Sequence, residues 1–133
     1  MSATDALTLS KEERICSKLL IDKLFKGNAS FSMSAFPLRV VCLKQERNSH
    51  EPQDMMLVSV PKRYFKRAVK RNRVKRQVRE AFRKNKSLLL DKMCEDENSQ
   101  IAVAFIWLDD KLYDTAFVEN RVKSLLHRIS EKL

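Results

Sequence analysis

The chain has 133 residues, 44% hydrophobic and 33% charged, with one Gly and three Pro; that is enough for one buried core and too little for two full domains, so a single domain over residues 1–133 is expected. The net charge is +10, but residues 62–86 hold thirteen Lys or Arg against the single acid Glu80, a local +12 that leaves −2 for the remainder, which excludes a diffusely basic protein and points to one cationic element for a polyphosphate partner. No uncharged stretch is as long as a membrane helix and the opening MSATDALTLSKEER lacks the apolar stretch of a signal peptide, so a cytoplasmic protein with no membrane partner is expected.

In chain order, Ser10 with Glu13 fits a capping box, and Ile15, Leu19, Leu20 and Leu24 recur at helical spacing up to the stop signal Lys26 and Gly27. A first helix therefore ends near Phe25, starting at Ser10 or, if Ser17 is the cap, later. Residues 29–33, LRVVCL at 38–43 and MMLVSV at 55–60 then read as two or three antiparallel strands, the last closed by Pro61. A basic helix follows, and residues 86–98 read as its tail running into a loop. IAVAFIW at 101–107 is nearly continuous in apolar residues, which suits a strand inside the sheet with both faces covered. From Tyr113 onward, Phe117, Val118, Val122, Leu125, Leu126, Ile129 and Leu133 recur at three- and four-residue steps, an amphipathic helix that packs on a sheet. The order is α-β-β-β-α-β-α, an α+β fold with helices against one central sheet.

Chemistry by protein side chains finds little support. Cys16, Cys42 and Cys94 are far apart, His50 and His127 likewise, and neither zinc spacing nor a His-based nucleophile emerges. The acids Asp109 and Asp110, and the cluster Glu95, Asp96 and Glu97, sit among turn-like polar residues and read as solvated loops. Catalytic and metal-ligating residues are therefore expected to be none.

The basic segment has two sides. At about 100° per residue, Val74, Val78, Ala81 and Phe82 share one arc, while Lys75, Arg76, Arg79, Arg83 and Lys86 share the next. Stacked like charges oppose helix formation, a cost that a phosphate backbone would offset. Lys62, Arg63, Lys66, Arg67, Lys70, Arg71 and Arg73 extend the cationic element through the preceding turn, where guanidinium groups suit bidentate phosphate contacts and base stacking. Arg71 falls on the apolar arc, so either the helix begins after it or it points along a groove toward a partner; Asn72 is placed to cap the helix or to bond a base edge or sugar. A solvated helix face is the plain alternative for such a run.

The string VSVPKRYFKRAVKRNRVKRQVREAFR, residues 58–83, resembles the signature of the bacterial ribonuclease P protein family, AVKRNRxKRxxRE, at Arg71, Asn72, Arg73, Lys75, Arg76, Arg79 and Glu80. The likeness extends to a first helix ending in LFKGN, the strands LRVVCL, MLVSV and IAVAFIW, and the closing helix. It implies an α/β sandwich whose four-stranded sheet contains a left-handed β-α-β crossover, against the usual hand. It also implies endonucleolytic removal of the 5′ leader from precursor tRNA, with Mg²⁺ and the chemistry on the RNA subunit, and a monomeric protein bound one-to-one to that RNA. Residues 70–76 match the segment that docks on the catalytic RNA. Asn72, Arg79 and Phe25 match a cleft for the single-stranded leader, although Phe25 at helical spacing suits a core position equally. Ile21 and Val41 replace two aromatics common in the family, so either Phe36 substitutes or leader stacking is weaker, and Pro61 stands where Ser is frequent. A structural RNA-binding module, such as a small ribosomal protein, shares the charge pattern and is the competing expectation.

Overall fold

The computed structural model describes residues 30–46, 54–93 and 99–132. The predicted first helix, with Phe25, and the cluster Glu95, Asp96 and Glu97 lie outside the described residues. Four strands form one mixed sheet, β1 (Phe31–Ala35), β2 (Leu38–Glu46), β3 (Asp54–Ser59) and β4 (Ser99–Trp107), in the spatial order β1-β2-β4-β3. The helices are α1 (Ala68–Asn85), α2 (Ser87–Met93) and α3 (Thr115–Lys132).

Period-two alternation sorts the strand residues. Leu38, Val40, Cys42, Met56, Val58, Ile101, Val103, Phe105 and Trp107 join the helices in the main core. Val41, Leu43, Ala102 and Ala104 cluster on the opposite face with Met55, Leu57 and Ile106 against them. Strand β4 thus has partners on both edges and apolar neighbours on both faces, which accounts for its unbroken apolar run. Burial pushes the Cys42 thiol up to about 12, although Lys132 opposes the shift.

The pairing corrects one expectation. Strand β3 does not continue an antiparallel meander from β2; it pairs parallel with β4, Asp54 opposite Ile101 and Ser59 opposite Ile106. Parallel neighbours need a long crossover, and α1 with α2 supplies it. A second correction concerns residues 86–98, expected as a helix tail and loop. The chain breaks at Lys86, whose carbonyl accepts hydrogen bonds from Leu89 N and Leu90 N at 3.0 Å each, and restarts as α2 with Leu89 buried. Lys86 is only 3% exposed at this junction, so it leaves the cationic arc on which the spacing placed it. Among the described residues the first strand runs Phe31–Ala35, past its expected end at residue 33.

Helices α1 and α3 pack side by side on one face. Val74, Val78, Ala81 and Phe82 of α1 are buried as their spacing predicts, and Phe82 meets Phe105 edge-on at 6.1 Å. Gln77 is buried as well; its Nε2 donates to Tyr113 O at 3.0 Å and to Thr115 Oγ1 at 3.3 Å, tying α1 to the start of α3. From α3, Val118, Val122, Leu125, Leu126 and Ile129 are buried, whereas Phe117 is half-exposed, stacked on Tyr113 at 4.7 Å beneath the Arg121 guanidinium. Arg128 Nη1 donates to Ser34 O at 2.8 Å, fastening α3 to the edge strand β1.

Candidate nucleic-acid interface

Between β3 and α1 the chain makes a tight turn, closed by Tyr64 N donating to Pro61 O at 3.2 Å and anchored by the buried Phe65. Lys62, Arg63, Lys66 and Arg67 of this turn are exposed, as are Lys70, Asn72, Arg73 and Arg76 of α1; Arg71, Lys75, Arg79 and Arg83 are half-exposed. Charge patterning alone misses Tyr64; the Arg63 guanidinium lies 4.9 Å from its ring centroid, so a cation and an aromatic stand together at the rim. Val69, in the first turn of the helix, is 79% exposed beside these cations.

The start of α1 is built for an anion. Its N-cap is Arg67, in extended geometry at φ −84° and ψ 130°, with no side-chain cap and no acid in the first turn. Among the described residues the cap position therefore offers the first amides no side-chain acceptor, and the positive end of the helix dipole lies among Lys66, Arg67, Lys70 and Arg71. No acid occurs between Asp54 and Glu80 in the sequence to neutralise it. Uncapped amides, dipole and cations together favour a phosphate at this point.

The structure resolves both alternatives for Arg71 in another way. The helix begins at Ala68, before Arg71, so Arg71 lies within it. Its side chain folds back, Nη1 donating to Phe65 O at 2.7 Å and to Lys66 O at 2.9 Å. That leaves the Nε and Nη2 edge of the guanidinium, one of the edges that can pair bidentately with a phosphate. Arg71 therefore holds the turn with one nitrogen while presenting the rest of its donors. Asn72, for its part, is not the helix cap, a position held by Arg67; it is exposed on the helix surface.

Helical geometry splays the Arg-Asn-Arg triplet, since successive residues lie about 100° apart. Arg71 turns toward the preceding loop, whereas Asn72 belongs to a row with Arg76, Arg79 and Arg83 at steps of four, three and four residues. This row spans about 16 Å of helix, with Lys75 beside it. Arg73 falls on the other flank, in line with Glu80 and Lys84 further along the helix. Within the row, Arg83 donates through Nε to Glu80 Oε1 at 3.1 Å and through Nη2 to the same oxygen. That bond, more than any nearby charge, holds the Glu80 carboxyl below its ordinary value.

Phe36 stands at the tip of the β1–β2 hairpin, 60% exposed. Pairing of Leu38 with Trp107 and of Ser59 with Ile106 puts this tip at the end of the sheet from which α1 departs. Strand β4 nevertheless separates the hairpin from β3. Among the described residues no three His, Cys, Asp or Glu side chains converge as metal ligands, and no helix is long and apolar enough to cross a membrane.

Comparison with known proteins gives a consistent picture. The family model described as Ribonuclease P matches residues 9–130. The ribonuclease P protein component of Porphyromonas gingivalis is 39% identical over 130 residues, covering 98% of this chain and 92% of its own. That of Borreliella afzelii is 35% identical over 111 residues, covering 83% and 89%. In fold, the chain is similar to the RNase P protein of Staphylococcus aureus, with a TM-score of 0.63 at 20% identity over 88% of this chain and 94% of that one. The protein from Thermotoga maritima gives 0.60 at 21% identity over 84% and 90%. With a family match across nearly its whole length and relatives above one third identical, the chain belongs to the ribonuclease P protein family.

Proposed function

We propose that the chain is the RNA-binding subunit of a cytoplasmic ribonucleoprotein that removes the 5′ leader from precursor tRNA. The start of α1 and its turn grip the catalytic RNA through phosphates, with Lys62, Arg63, Lys66, Arg67, Lys70, Arg71 and Arg73 as contacts. The row of Asn72, Arg76, Arg79 and Arg83 flanked by Lys75 lies against RNA along the helix, with Asn72 and Arg79 facing the single-stranded leader. Phe36, and Phe25 from the segment outside the described residues, are the aromatics assigned to stack on leader bases. Cleavage and Mg²⁺ belong in this reading to the RNA subunit, and one protein copy serves one RNA.

The observation that carries the reading is the uncapped, acid-free start of α1 set among exposed cations. Folding alone gains nothing from leaving a helix terminus unsatisfied next to like charges, whereas a phosphate satisfies both. The same surface suits a purely structural RNA-binding module, so the deciding experiment is reconstitution. The protein, added to a bacterial ribonuclease P RNA at low Mg²⁺, is expected to restore cleavage of precursor tRNA, and alone to cleave nothing. RNA binding without any gain in cleavage would favour the structural module, and cleavage by RNA-free protein would overturn the assignment of the chemistry.

A further inference from the structure

Glu80 is the one acid in a segment of thirteen cations, and it sits beside the row of donors rather than on the core side of α1. A carboxylate on a phosphate-binding surface repels the ligand, so its presence there needs a reason. Neutralisation by itself is a poor one. Lys84 stands four residues on, in the favoured Glu-to-Lys orientation for a helix, and Arg76 stands four residues back, yet the carboxylate engages Arg83. It does so with one oxygen across the Nε and Nη2 edge of the guanidinium. Because that group is planar, fixing one edge fixes the direction of the whole fork, which an ammonium partner would leave undetermined. Arg83 also lies four residues after Arg79, a like-charge neighbour whose repulsion the Glu80 carboxylate offsets.

We infer that Glu80 is a positioning residue, whose carboxylate holds Arg83 in line with Asn72, Arg76 and Arg79 so that RNA meets a row of donors already in place. The inference rests on the RNA-binding reading of α1. Glu80 is ionised throughout the neutral range, since its bond from Arg83 keeps the carboxyl below its ordinary value. The hold is therefore present before RNA arrives, and the gain from it is ordering Arg83 in advance rather than adding charge.

Affinity for a bacterial ribonuclease P RNA across a salt series tests this in Glu80→Ala, Glu80→Gln, Arg83→Ala and the Glu80→Ala/Arg83→Ala double variant, beside Arg71→Ala/Arg73→Ala. Glu80→Ala is expected to weaken binding about as much as Arg83→Ala, on the order of tenfold for one charged contact, with nothing further lost in the double variant. Glu80→Gln keeps an oxygen that accepts from the guanidinium and sheds the negative charge, so it should bind at least as tightly as the natural protein. Tightening in both Glu80 variants would reduce the residue to charge neutralisation, and no change in either, or equal weakening in both, would equally overturn the inference. If Arg71→Ala/Arg73→Ala weakens binding while the Glu80 variants do not, the interface stands and the positioning role falls. If it has no effect, the interface reading is wrong and the inference goes with it.

Discussion

Helices α1 and α3 are each 18 residues long, and each lays an apolar stripe on the same face of the sheet, yet they begin in opposite ways. Before α3, the Tyr113 hydroxyl donates to Asp109 Oδ2, a bond that holds the Asp109 carboxyl below and the Tyr113 phenol above their ordinary values. Asp114 then caps the helix, its Oδ1 accepting from Phe117 N at 2.8 Å while its carbonyl accepts from Val118 N at 3.2 Å. The α3 terminus thus has a side-chain cap from within the chain. Neither helix has an acid in its first turn, but at α1 the cap position holds Arg67 in place of an aspartate, and the cations add to the positive end of the dipole. The two share a length and both bury an apolar stripe in the same core, so the difference is not one of packing. One terminus is completed by folding; under the proposed function an RNA phosphate completes the other.

If the two helices are equivalent as core elements, removing a large buried side chain from either should cost alike. Phe82→Ala in α1 and Leu125→Ala in α3, both fully buried, are each expected to lower the unfolding free energy by about 3 to 5 kcal/mol in a denaturant titration. A far smaller loss at Phe82 would mean that α1 is held by RNA rather than by the core.

Charge removal should then separate the two ends. Arg71→Ala/Arg73→Ala is expected to reduce the slope of log affinity against log salt by roughly 0.7 to 0.9 for each residue that meets a phosphate. The two arginines should differ in stability. Arg71→Ala gives up two hydrogen bonds to the carbonyls of Phe65 and Lys66 and should cost about 1 kcal/mol or more, whereas the exposed Arg73 should cost nothing measurable. The smallest effect belongs to the finished end: Asp114→Ala should lose about 1 kcal/mol of stability and leave RNA affinity unchanged.

Much of this contrast is legible in the amino-acid sequence. The apolar strands show in their alternation, the buried position of β4 in its unbroken run, and the core side of α1 in the spacing of Val74, Val78, Ala81 and Phe82. What local pattern does not encode is partner choice. Nothing in MMLVSV says that it pairs parallel with a strand forty residues later, because that pairing depends on where the crossover helix packs. Angular spacing misplaces Lys86 because it assumes an unbroken helix, and the chain breaks there. The bonds of Arg71 to Phe65 and Lys66 depend on the fold of the turn, and spacing along a helix carries no trace of them. Asp114, by contrast, is readable as an acid just before an apolar-periodic run, and starting the helix at Tyr113 hides it.

Exchanging the two kinds of helix start in a single residue tests the central claim most directly. Arg67 already has the extended backbone of a cap, so Arg67→Ser gives α1 the hydroxyl that α1 lacks without asking the chain to move. Unfolding free energy and affinity for ribonuclease P RNA should be measured on the same preparation. Opposite signs are expected, with stability rising by about 1 kcal/mol while affinity falls and its salt slope shrinks by roughly 0.7 to 0.9. A rise in stability with affinity and slope both unaltered would contradict the claim, because the start of α1 would then be an ordinary helix terminus that happens to lack a cap.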